Sequence, residues 1–162
     1  TGIYNQTWLI EKMRKLIGKK SSLFSLLIIK PDNFKALNDS YGHEAGDTAI
    51  RIMARRLRDF IGDDKKIARY KGNAMAVILI GSTKEDTYNQ ALLIQEFMKS
   101  LDVGEATGGK EFPITASIGI TLFPDHGMNV EDLVFKTHEL PLVGRRRGGD
   151  LILFPEDAGG KE

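Results

Sequence analysis

The chain has 162 residues, 23 Lys+Arg against 22 Asp+Glu and no cysteine. That is the size of one ordinary domain, and it excludes disulfide scaffolds, thiol catalysis and Cys-based zinc sites. A net charge of +1, with 41% apolar and 28% charged residues, describes a globular domain not built mainly to grip nucleic acid.

No apolar run approaches the ~20 residues that span a bilayer, and no signal peptide is visible, so a soluble, cytoplasmic domain without membrane contact is expected. Thr1 in place of Met points to a piece of a longer protein. Ile3, Trp8, Leu9 and Met13 form the apolar face of a first helix. Residues 23–30 hold six apolar side chains in eight, as in a central strand covered on both sides, and Pro31 ends it. A short helical piece is expected over 33–37, then turn formers over 38–43. Ile50, Met53, Ala54, Leu57 and Ile61 mark a helix over 45–61, with Arg51, Arg55, Arg56 and Arg58 mostly off that stripe. Residues 67–80 read as a hairpin turning at Lys71-Gly72-Asn73-Ala74.

A capping box at Ser82-Thr83-Lys84-Glu85 opens a helix carrying Tyr88, Ala91, Ile94, Met98 and Leu101 on one face. The three glycines of 104–110 predict a flexible loop. Residues 114–122 alternate strictly, which predicts a half-buried strand. A helix from Asn129 is expected to reach about Leu140 and to be interrupted at Pro141. A short strand over 151–154 precedes a polar tail over 156–162 that is expected to fray. The expectation is therefore one α/β (α+β) domain over 1–155, a mostly antiparallel central sheet flanked by helices.

The stretch 32–47 packs polar groups between a buried strand and a helix, where α/β ligand sites lie. Asn38 and Asp47 suit a purine edge, because amide and carboxylate complement guanine donors and acceptors. Asn38 and Asp39 equally suit turn backbone, and Asp47 the positive end of its helix. His43, His126 and His138 have no paired spacing for a metal. Arg145-Arg146-Arg147 reads either as a phosphate or partner patch or as a solvated face.

Thr1-Gly2-Ile3-Tyr4-Asn5, Phe34-Lys35-Ala36-Leu37-Asn38-Asp39, Gly42-His43, Gly46-Asp47, Arg69-Tyr70 and Ala116-Ser117-Ile118-Gly119-Ile120 follow in order along the whole chain. Together they resemble the GGDEF family, bacterial diguanylate cyclases that condense two GTP into cyclic di-GMP. The resemblance implies a palm-like fold in which the signature hairpin and the strand before the FK helix hold two Mg²⁺ and a triphosphate. It places Asn38 and Asp47 on the guanine, and Lys35 and Arg145 on phosphates. A homodimer, GTP or a related purine nucleotide, and other domains of the same chain are the partners it implies.

The same resemblance exposes substitutions. Lys30-Pro31-Asp32 stands where the family has DxD, and Lys71-Gly72-Asn73-Ala74-Met75 stands for GGDEF. Gly149 replaces a phosphate-contacting arginine, and Gly62-Asp63-Asp64-Lys65 lacks the product-binding RxxD. Lys30 and Asn73 make the metal site three charge units more positive. A fixed ammonium ~4 Å away repels each unit of cation charge by roughly 4 kcal/mol at an effective dielectric near 20. The expectation is a degenerate domain with no catalytic residues and no cofactor, in a regulatory or interaction role. A nucleotide receptor without turnover is the alternative, and an active cyclase the weakest reading. Lys30 either binds phosphate directly or pairs with Asp32.

Overall fold

The computed structural model describes residues 2–19 and 22–159. The helices are α1 (Gln6–Gly18), α2 (Phe34–Tyr41), α3 (His43–Ile61), α4 (Lys84–Lys99), α5 (Gly104–Thr107) and α6 (Val130–Arg146). The strands are β1 (Phe24–Pro31), β2 (Ile67–Arg69), β3 (Met75–Ile80), β4 (Ala116–Phe123) and β5 (Ile152–Leu153). They form one sheet in the order β2-β3-β1-β4-β5, antiparallel except for β4 and β5. The apolar density of β1 has the expected cause. Leu27 and Ile29 face a core shared with α2, α3 and α4, while Phe24, Leu26 and Ile28 face α1 and α6. No helix among the described residues is long and apolar enough to cross a membrane.

Five expectations need correction. The turn formers 38–41 are helical, because Phe34 and Leu37 bury one face of α2 and Tyr41 meets Phe112 edge-on at 6.2 Å. Half of the expected loop 104–110 is the short α5. The alternation in β4 does not mark a wet face. Ser117, Gly119 and Thr121 lie under α6, where Thr121 and Thr137 hydroxyls bond at 2.6 Å and Gly144 packs on Ser117. Helix α6 also continues through Pro141, whose ring packs over Gly119 beside the Thr137 carbonyl. A small-residue strand and a proline-bearing helix thus accommodate each other.

The fifth correction concerns the C-terminal segment. Pro155–Gly159 forms a 3-10 turn, and Asp157 Oδ2 accepts from the Phe154 amide at 2.8 Å. Glu156 accepts from Lys84 Nζ at 2.8 Å and from His126 Nε2 at 2.9 Å, while His126 Nδ1 accepts from the Leu122 amide. Residues 160–162 of the expected tail lie outside the described residues. The Lys84 bond holds the Glu156 carboxyl down from 4.5 to about 2. A depressed carboxyl stabilises the fold above its ordinary value, and that contribution disappears as pH falls from about 4.5 through about 2. A carboxyl NMR titration should place the Glu156 midpoint near 2, and Lys84→Ala should move it upward. An unmoved midpoint in that variant would sink the assignment.

Candidate functional site

The site gathers at one end of the sheet, where β1 ends, the β2–β3 hairpin turns, α2 and α3 begin and α6 finishes. Lys30 is the last β1 side chain on the face covered by α1 and α6, after Leu26 and Ile28. Its Nζ donates to Asn73 Oδ1 at 3.1 Å, across from the hairpin turn. Burial and the nearby Arg145 guanidinium push the Lys30 amine below its usual range. Arg145 itself is exposed in the last turn of α6.

Lys30 does not pair with Asp32. Residues i and i+2 share a face only while the strand lasts, and β1 stops at Pro31. Asp32 instead accepts from Thr115 Oγ1 at 2.8 Å, Ser117 Oγ at 2.7 Å and the Asp150 amide at 2.8 Å. The loop after α6 comes down onto this carboxylate. A Cβ at Gly149, whose φ is +80°, would lie 3.0 Å from the Asp32 carboxylate, so a side chain there would displace it. The sequence signal for this lock is the pair Gly148-Gly149 before Asp150, where the family resemblance marks only a missing arginine at Gly149.

The hairpin turn closes with the Tyr70 amide donating to the Ala74 carbonyl at 3.0 Å and the Ala74 amide to the Lys71 carbonyl at 3.2 Å. Lys71 and Gly72 are exposed, Gly72 with φ +60°. Ala74 and Met75 are buried, one in each core. Among the described residues no three His, Asp, Glu or Cys side chains converge as a metal cluster. An ammonium bound to an amide, beside a carboxylate already accepting from three donors, does not fit Mg²⁺, which needs open oxygen ligands.

Asn38 is half-buried in α2, and Gly46 of α3 makes room for it: a Cβ there would lie 1.6 Å from Asn38 Oδ1. That Oδ1 is buried without a hydrogen-bond partner. Asp47, next to Gly46, is exposed. Lys35 is exposed and pairs with Asp39 one turn on, at 3.2 Å.

The family model described as "Diguanylate cyclase, GGDEF domain" matches residues 1–143. The chain belongs to the GGDEF family. It is 29% identical over 110 residues to the cyclic di-GMP phosphodiesterase NbdA of Pseudomonas aeruginosa, covering 68% of this chain and 14% of NbdA. It is 28% identical over 128 residues to the diguanylate cyclase DosC of Escherichia coli, covering 79% of this chain and 27% of DosC. This domain therefore spans only a small part of either relative. The crystal structure of the GGDEF domain of YfiN (TpbB) from Pseudomonas aeruginosa superposes with a TM-score of 0.84 at 23% identity. That match covers 94% of this chain and 96% of the other, and it shows the shared fold.

Proposed function

We propose that this GGDEF domain is a cytoplasmic regulatory or interaction module of cyclic di-GMP signalling that does not itself make cyclic di-GMP. The observation that carries the reading is the bond from Lys30 Nζ to Asn73 Oδ1. It joins two positions at which the family resemblance implies acidic metal ligands. Two-metal nucleotidyl transfer uses its ions to activate the attacking hydroxyl and to stabilise the leaving phosphate. With Lys30 there and Asp32 engaged by Thr115, Ser117 and Asp150, neither position offers a free carboxylate to recruit them. NbdA and DosC, both named for cyclic di-GMP chemistry, support the signalling context.

A second reading is favoured by Asn38 and Asp47. The amide lodged on Gly46 and the exposed carboxylate beside it present donor and acceptor groups suited to a guanine edge. In this reading GTP or a related purine nucleotide binds without turnover and controls attached domains.

Calorimetric titration with GTP, with and without Mg²⁺, separates the readings. Binding that Mg²⁺ does not improve, and that Asn38→Ala or Asp47→Ala abolishes, supports the receptor. No binding at millimolar GTP leaves the interaction module. Sustained cyclic di-GMP formation in a linked assay would overturn both. The triple variant Lys30→Asp, Asn73→Asp, Ala74→Glu is expected to gain Mg²⁺ binding that the natural sequence lacks. If the triple variant still ignores Mg²⁺, the substituted carboxylates are not the cause.

A further inference from the structure

Helix α3 carries a feature that the guanine-side reading does not use. Arg51, Arg55 and Arg58 follow at spacings of four and three, which places them on one face of the helix over successive turns. Across from them is Arg69 of β2, on the same side of its strand as Ile67, which packs in the core with α3. The N-terminal segment closes the third side. Tyr4 bridges to Ala68 in parallel, and the Arg69 amide donates to the Tyr4 carbonyl at 2.7 Å. These elements enclose a cavity of about 180 Å³ lined by Ile3, Arg51, Ala54, Arg55, Arg58 and Arg69.

The four arginines at this cavity differ in how their charge is met. Arg58 pairs with Asp59 at 3.5 Å, and Arg51 donates to the Thr48 hydroxyl at 3.1 Å. Arg51, Arg55 and Arg69 form no ion pair among the described residues. The four arginines and Asp59 together carry +3, whereas the rest of the chain holds 21 acidic residues against 19 Lys and Arg. Positive charge is thus concentrated at one small hollow on an otherwise slightly acidic domain. Arginines that line one hollow repel one another less once an anion occupies it.

We propose that this cavity binds a phosphate monoester. The planar guanidinium fork matches phosphate oxygens two at a time, and a dianion answers several arginines at once. The volume admits one phosphoryl group and the first carbons attached to it, not a whole dinucleotide. Ile3, Ala54 and the arginine stems give those carbons an apolar floor. The cavity shares no residue with the Lys30–Asn73 or Asn38–Asp47 groups, so its test is independent of theirs.

The test is an amide NMR titration of the full chain with inorganic phosphate and with glycerol phosphate, against sodium chloride at matched ionic strength. Saturable shifts are expected over residues 54–58 and 67–69 with both phosphates, tighter for the ester. The double variant Arg55→Gln, Arg69→Gln should weaken binding by about tenfold or more, as expected for lost charge-assisted bonds. Arg55 is exposed, so Arg55→Gln alone should keep the thermal midpoint and still lose affinity several-fold. Shifts that sodium chloride reproduces, or that survive both variants, would overturn the site. Binding of inorganic phosphate but not of the ester would overturn the monoester assignment.

Discussion

Gly119→Val should destabilise the domain by at least ~3 kcal/mol, the upper range for overpacking a well-filled core. A Cβ at this position would stand 2.6 Å from Leu140 Cβ, 2.7 Å from the Thr137 carbonyl oxygen and 2.9 Å from Pro141 Cδ. None of these is the free end of a flexible side chain, so relief requires α6 to lift from β4. Lifting it exposes Leu133 and Leu140, both buried. Gly119→Ala should cost less, about 2 kcal/mol, because only one carbon must be accommodated. Urea unfolding gives the comparison directly, as a lowered midpoint at unchanged slope. An alanine variant as stable as the parent would mean that α6 does not seat on this glycine.

Asp32→Ala is expected to cost roughly 3 kcal/mol, from the loss of several hydrogen bonds to one carboxylate. Its oxygens serve Thr115, Ser117 and the Asp150 amide, which join β4 and the loop after α6 to the end of β1. Truncation leaves two hydroxyls and one backbone N–H seeking water in a half-buried place. Asp32→Asn keeps one acceptor and should lose about half as much. Beyond the unfolding midpoint, hydrogen exchange at the Asp150 amide should accelerate in the alanine variant more than at amides of β3. Uniform acceleration would indicate a global effect and would refute the local lock.

Much of the fold is legible in the sequence because hydrophobic period and burial agree. The dense apolar run of β1, the α3 stripe and the Gly72-Asn73 turn all express local physics that tertiary structure reinforces. The failures share a cause. Asn38 to Tyr41 have turn propensities, yet α2 holds them because Phe34 and Leu37 bury its face. The strict alternation of β4 looks like a wet face only if every small or hydroxyl residue faces water; under a close helix such residues are what fits. At the site, Asn38 and Asp47 could be singled out by motif spacing. The partners of Lys30 and Asp32 could not. They depend on where β1 stops and on a loop more than a hundred residues away in sequence, reaching back from Asp150.

That same loop is held from a second direction. Gln95 Nε2 donates to the Asp150 carbonyl at 2.7 Å, and Lys99 Nζ pairs with the Asp150 carboxylate at 2.8 Å. Asp150 is therefore a rivet at the sheet edge, gripped by Asp32 just past β1 and by α4 through Gln95 and Lys99. Its backbone lies in the left-handed region at φ +59°, which aspartate tolerates better than most residues. Helix α4, joined to this loop in that way, carries exposed Tyr88, Leu92 and Leu93 in the layer on the other side of the sheet.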